Sequence, residues 1–365
     1  MAVPLLAAAF FANELGAENG VLSLAHFEAL RHCLSRKQDD SDAQDEERLE
    51  EAVVGALTRQ SAAAAVLEFC FAQLAGQLSD ALGRRPVLLA AAIGSGVCRC
   101  APLVAPNRSS SVWLAKVGGD PFATVYMDTI FASVADLFAS DAHAYGAMAG
   151  RMRAMGGAAT LLGPWLGSRL AQQHHGRPYL AASLCSAAMA LLALRLPETA
   201  TLAGGGVRWG GALGFGWVGL LRRRGEYRGA AAAVPMLALT IALQRMALFG
   251  SFDVSDAHCR GWLRWSGPRL GLFRSCEGLA YLLQGVLGGP IQRLAPLFGS
   301  LLGNGASAAA FLCFGFAMPA GHGRLRSSLL MWVGLALNCV PAVSATCTRL
   351  LLRVLTLLKM PASRC

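Results

Sequence analysis

The chain has 365 residues, of which 55% are hydrophobic and only 15% charged, with a mean hydropathy of +0.46. That balance excludes an ordinary water-soluble domain and leaves an integral, multi-pass membrane protein with the lipid bilayer as its first partner. A formal net charge of +10 does not mark a nucleic-acid binder, because the basic residues are scattered between apolar runs rather than gathered on one face.

A helix needs about 20 apolar residues to cross roughly 30 Å of hydrocarbon. Residues 1–15 (MAVPLLAAAFFANEL) are apolar but short, and they lack the basic stretch that opens a signal peptide. They read as a truncated first span. An insert over 25–52 follows, whose acidic part, 39–51 (DDSDAQDEERLEE), is expected on the exoplasmic side. Nine apolar runs then predict spans near 53–76, 87–106, 112–138, 146–170, 178–196, 230–250, 270–290, 295–317 and 328–347. Beyond 347 the segment TRLLLRVLTLLK is too short and too basic to cross. Arginines at 84–85, 151–153 and 222–228 put their loops in the cytoplasm under the positive-inside rule.

Composition shifts after Pro197-Glu198-Thr199, where a Gly/Arg-rich segment interrupts the spans. The expected organisation is an N-terminal bundle over 1–199, a cytoplasmic linker over 200–229 and a partial C-terminal bundle over 230–365. The surroundings of Gly76 and Gly285 align without a gap, setting Glu68 on Glu277, Leu78 on Leu287 and Arg84 on Arg293. A parallel repeat of two halves is common in transporters.

The strongest local pattern is GQLSDALGRRPVLL, residues 76–89, a charged turn between two apolar runs. Gly76, Asp80, Gly83, Arg84 and Arg85 together are expected by chance on the order of 10⁻³ times. Physically, Gly76 is expected to let two helices approach closely. Asp80 is expected to accept N–H bonds at a helix N-terminus, Gly83 to permit a tight turn, and the two arginines to anchor that turn at the interface. The pattern resembles the loop between spans two and three of the major facilitator superfamily. LLGPWLGS, residues 161–168, resembles the span-five Gly-Pro motif of its antiporter branches, carried by Gly163, Pro164 and Gly167. There the proline kinks the span, and Gly156, Gly163 and Gly167 leave room for a neighbouring helix. RLPET, residues 195–199, resembles the end of span six.

The resemblance implies an all-α polytopic fold of two bundles, with about nine to ten of twelve spans present and parts of the first span and the last two missing. It further implies that Asp80 latches one conformation through the eleventh span. By the same resemblance the chain is a secondary transporter of a small molecule working by alternating access, with proton antiport as its coupling. A truncated, non-transporting paralogue or splice product that regulates or binds a partner is the alternative.

Ionisable groups inside spans cost roughly 2.5–3.5 kcal/mol each at a helix centre and mark a pathway by default. Lys116, Asp120, Thr124, Asp128 and, after Ala132, Asp136 recur every fourth residue and form one ridge on an unbroken helix. If Gly118-Gly119-Asp120-Pro121 breaks the helix instead, Lys116 and Asp120 form a solvated pair near the surface. Asp128 stays intramembrane in both cases, and Asp136 resembles the acid at the cytoplasmic end of span four. Glu68 and Glu277 are candidate proton carriers, or else paired with a cation such as Arg99 or Arg274 to permit insertion. Gln244, Arg245 and Asn338 offer hydrogen bonds to a polar substrate. No P-loop, Cys-x-x-Cys or Gly-x-Ser-x-Gly pattern is present, so an enzyme is not expected, nor a cofactor. The 11 cysteines show neither a disulfide framework nor a metal spacing, and His174-His175 is expected in a polar loop with its rings apart.

Overall fold

The computed structural model describes residues 2–17, 20–35, 43–139, 141–200, 259–260, 263–294, 296–317 and 324–338, and all regular elements among them are helical. In chain order these are α1 (Ala2–Gly16), α2 (Ala25–Ser35), α3 (Ala43–Leu82), α4 (Arg84–Val104), α5 (Ser109–Trp113), α6 (Gly119–Leu137), α7 (Ala142–Gln173), α8 (Arg177–Arg195), α9 (Gly267–Leu294), α10 (Pro296–Ala317) and α11 (Arg324–Asn338). The expected span at 230–250, the linker and the tail beyond 338 lie outside the described residues. Among the described residues, three helices are long and apolar enough to cross a membrane by length and composition alone: Arg48–Leu82 within α3, then α4 and α8.

The predicted runs that fall on described residues lie in helices, but their limits differ where a charge falls inside one. Arg151 and Arg153 were expected in a loop; they lie within α7, a 32-residue helix. At about 1.5 Å per residue it is longer than the hydrocarbon is thick, so charges near one end cost little. The span near 112–138 runs from α5 to α6 through a π-helical turn, Leu114–Gly118. Pro121 therefore does not break the helix, because the wide turn absorbs the clash its ring makes with the preceding carbonyl. A Cβ at Gly118 would sit 2.8 Å from Cys98 Sγ, so this turn also lets α4 come close.

α1, α3, α4, α6, α7 and α8 share one core in which Leu6, Phe10, Leu88, Tyr126, Ile130, Met152 and Met189 are almost fully buried. The outward faces are equally apolar: Val97, Leu184 and Leu191 are 66%, 62% and 65% exposed. Hydrophobicity alone cannot sort inside from outside when the solvent is hydrocarbon, so close packing and buried polar contacts must do so. On α8 the buried side carries Ala182, Ser186, Met189 and Ala193 while the leucines face out. A second core joins α2 and the turn before it to Val53, Val112, Ala115, Tyr179 and Ala182. A third joins Leu24 to Cys259, Leu263, Trp265, Leu270, Phe273, Phe314 and Met331 of the C-terminal part.

α7 and α9 are joined by backbone approach. A Cβ at Gly157 would land on the backbone nitrogen of Leu282, and one at Gly278 on that of Leu161. The span-five glycines work the same way against a different partner. Gly163 abuts the backbone of Gly20 and Val21, and Gly167 that of Val21, so they receive the turn after α1 rather than a helix; Gly156 lies under the Phe10 ring. α7 runs through Pro164 uninterrupted. Gly76 was expected to mark a close helix contact, yet no described atom lies within 4 Å of a Cβ built there.

These environments separate two substitutions of the same type. Gly157→Ala meets backbone that cannot move aside and should destabilise the protein by about 1–3 kcal/mol. Gly76→Ala should be neutral or gain up to about 1 kcal/mol of helix propensity. Thermal unfolding of the two purified variants in one detergent checks the pair; equal losses would show that Gly76 also packs.

Candidate functional site

Two polar constellations stand out, one at the end of the bundle where α3 turns into α4 and one in its interior. The turn is made by Gly83, whose φ of +103° favours glycine. A Cβ there would also lie 2.8 Å from Glu198 Cδ. With the glycine in place, the first amides of α4 point at Glu198: Arg84 N–H donates to Oε1 at 2.8 Å and Arg85 N–H to Oε2 at 3.1 Å. The amides of Thr199 and Ala200 add bonds of 3.1 and 3.0 Å to Oε1. The carboxylate thus satisfies N–H groups that α4 cannot satisfy itself and lies at the positive end of its dipole.

The expected capping role of Asp80 is corrected by this arrangement. α3 continues to Leu82, so Asp80 lies in its last turn, 70% exposed, where it accepts a bond from the Arg84 guanidinium. Arg84 is the hub: its Nε donates to Asp136 Oδ2 at 2.9 Å and its Nη1 to Ser79 Oγ at 2.8 Å. Arg84 is largely buried at 13% exposure, so it ties α3 to α6 rather than marking an interface. Arg85 remains exposed and donates to the Leu194 carbonyl at 2.7 Å, pinning the end of α8. Asp136 takes the place expected for the acid ending span four. The link from 84–85 to 198 crosses more than 110 positions, |i−j| being 114 and 113, and no local spacing reveals it.

The interior constellation holds two members of the expected ridge. Lys116 and Asp120 are 1% and 7% exposed, one on the π-helical turn and one opening α6. They are buried and not the solvated pair that a broken helix would leave. Arg99 of α4 is fully buried beside them. Its charge interacts first with Asp120 and also with Glu14 of α1. Arg99 Nη1 donates to Ser186 Oγ at 3.1 Å, whereas its Nε and Nη2 have no hydrogen-bond partner among the described residues. Glu14 was missed because it sits in the short first segment, and Arg99 was considered only as a counterion for Glu68 or Glu277.

The rest of the ridge turns away. Thr124 is half-buried, Asp128 exposed and Asp136 drawn into the turn network. The π turn adds a residue to the helical period, so the four-residue spacing does not hold one face from 116 to 128. Glu68 lies half-buried on α3. Glu277 is buried on α9 and pairs with Arg274 at 2.9 Å, the arrangement expected if the acid only permits insertion. Gln244 and Arg245 lie outside the described residues, as does the side chain of Asn338, the last residue of α11. No group of three metal-ligating side chains occurs among the described residues. His174 and His175 do not point apart: they follow the last turn of α7, where the chain is not extended, and their rings stack at 4.4 Å.

Glu198 gives the turn a pH signature. Burial pushes its carboxyl up, but N–H bonds from Ala200, Arg84, Arg85 and Thr199 outweigh this and hold it below the usual carboxylate range. A pKa lower in the folded than the unfolded chain stabilises above about pH 4.3 and ceases to as pH falls through the folded value. Glu198 is exposed, so solvent screens part of this effect, and Glu198→Gln should lower the unfolding midpoint by about 1 °C at neutral pH, the scale of under about 1 kcal/mol in a chain of 365 residues. Wild type and variant should converge as pH drops below about 4. A constant gap across that range would put the stabilisation elsewhere.

No family model matches the sequence, and no curated protein matches it. Solved structures do. The human organic anion transporter MFSD10 (TETRAN) superposes with a TM-score of 0.71 at 22% identity, over 97% of this chain and 89% of that one. The proton:xylose symporter XylE of E. coli superposes with a TM-score of 0.62 at 16% identity, over 97% and 84% of the two chains. The nucleoside transporter NupG gives a TM-score of 0.59 at 12% identity over 97% and 88%. With its helices, its Arg84 turn and these likenesses, the chain has the all-α, two-bundle membrane fold of the major facilitator transporters.

Proposed function

We propose that the chain is a secondary transporter that moves a small organic anion by alternating access, coupled to protons through the interior cluster of Glu14, Arg99, Lys116 and Asp120. One observation carries the reading: two cations and an acid are buried in the N-terminal bundle, where an unused charge would be costly. A carboxylate held between cations can take up a proton when the cations are drawn to another anion, so proton and substrate share one electrostatic account. Arg99 retains two donor atoms without a hydrogen-bond partner among the described residues, the kind of unspent capacity that an anion uses. The solved structure of an organic anion transporter with the same fold favours this substrate class over sugars and nucleosides. In this scheme anion and proton bind together, so the cluster favours symport; antiport is the direction that the resemblance at Gly163 and Pro164 suggests. Glu68 is proposed secondarily as a group along the pathway, whereas Asp128 turns away from the cluster and Glu277 is already paired with Arg274.

Proteoliposomes under an imposed pH gradient test the reading with a panel of labelled carboxylates and phosphates. Wild type should accumulate an anion when protons move inward with it. Asp120→Asn should lose at least about tenfold of gradient-driven uptake while retaining exchange of anion for anion, since exchange needs no net proton movement. Lys116→Met should lose both. Uptake that ignores the pH gradient would establish facilitated diffusion instead, and uptake driven by outward-moving protons would establish the antiport that Gly163 and Pro164 suggest.

A further inference from the structure

We infer that α2, with the turn before it, is a strap that closes one end of the transporter by bridging its two halves, and that the Glu28–Arg260 ion pair is the contact it releases when that end opens. The inference rests on the alternating-access reading. The end concerned is the one bearing the α4–α5 and α7–α8 connections, because α2 reaches both. Cys33 Sγ lies 3.5 Å from the Pro106 carbonyl, and the His32 ring packs on His175 at 4.3 Å.

α2 grips the N-terminal half broadly. Val21, Leu22, Ala25, Phe27, Ala29 and Leu30 are buried with Val112, Ala115 and Tyr179 in one core. His26 Nδ1 shares a buried 3.0 Å hydrogen bond with the Tyr179 hydroxyl. Gly163 and Gly167 seat the preceding turn against α7 through bare backbone.

Among the described residues its hold on the C-terminal half is thinner. Leu24 enters the core around Cys259, Leu263, Trp265 and Phe273. Beside it Arg260 donates to Glu28 at 3.0 Å and lays its guanidinium over the Phe27 ring at 3.8 Å. Glu28 is 36% and Arg260 10% exposed, so the pair is half-buried at the edge of the contact, where water reaches the carboxylate side first. Separating the halves at this end must break one of the two grips, and the thinner one gives way first. The strap then stays with the N-terminal half, and Arg260 and the core behind it are uncovered.

Two native cysteines report on this without a substrate: Cys259, fully buried beneath Leu24, and Cys33, buried on α2. Purified full-length protein is treated with a polar maleimide, and labelling of each cysteine is followed by peptide mass spectrometry. Glu28→Gln and Arg260→Gln should each raise the rate at Cys259 about two- to fivefold, the shift that one half-buried ion pair can make. Cys33 should stay unchanged, and the exchanged pair E28R/R260E should bring Cys259 back towards wild type. Unchanged Cys259 in both single variants, or Cys33 rising in step with it, overturns the strap.

Should the single variants fold poorly, Glu28→Cys combined with Arg260→Cys and joined by a short bismaleimide gives a second route. The joined protein should bind the labelled anion but cease to move it across vesicles. Continued transport with the joint in place also overturns the strap. Wild-type vesicles that never transport, with Cys259 still responding to the variants, would instead remove the transport reading and leave the strap as a static clamp.

Discussion

The approach of α7 to backbone on two sides is the constraint on which the arrangement of the halves depends. Without Cβ atoms at Gly157 and Gly278, α7 and α9 meet at distances that side chains would forbid, and Gly163 and Gly167 admit the turn after α1 on the same helix. In a hydrocarbon solvent, burying leucine gains little, so helices associate through such close contact and through paired polar groups. α7 therefore serves as the common surface of three pieces: α1 and its turn, the N-terminal bundle, and α9. Larger residues along its length would separate all of them together.

Polar contacts then decide which helices move as one body. Arg84 bonds α3 to α6, Arg85 bonds the start of α4 to the end of α8, and Glu198 returns from beyond α8 to cap α4. Every partner among the described residues belongs to the N-terminal half. The network thus stiffens that half, and it leaves Asp80 as its exposed acid, 70% accessible and turned outward. A turn motif that looks like a latch between halves is, in the contacts described, first a clamp within one of them.

What the sequence disclosed follows the range of the interactions involved. Span positions were legible because each needs only its own apolar run, and Gly83, Arg84 and Arg85 were legible because their turn is local. Glu198 stood out only as part of a short terminal pattern; its role depends on an amide more than 110 positions away. The Lys116 to Asp128 ridge assumed one helical period, and a π turn changed the phase between its members. Among the glycines, composition could not distinguish Gly157, pressed against backbone, from Gly76, which faces open space among the described residues, since both sit in small-residue stretches. His174 and His175 misled for a related reason: rings diverge on an extended chain, and this chain is leaving a helix.

The two ends of the molecule are consequently held by chemistry of different strength. At the Arg84 end, charge-assisted bonds and a capped helix dipole hold four helices of one half in fixed register. At the other end, α2 crosses from one half to the other with a broad apolar grip on the first and, among the described residues, one leucine, one ion pair and one cation–π contact on the second. Under the proposed alternating access, rigid bodies separate at a seam. The halves meet in two ways among the described residues: the α7–α9 contact, which glycines make tight, and the strap. The tight contact suits a pivot and the thin one the place that opens, so the proposed motion is directed to the strap by geometry rather than by softness in any helix.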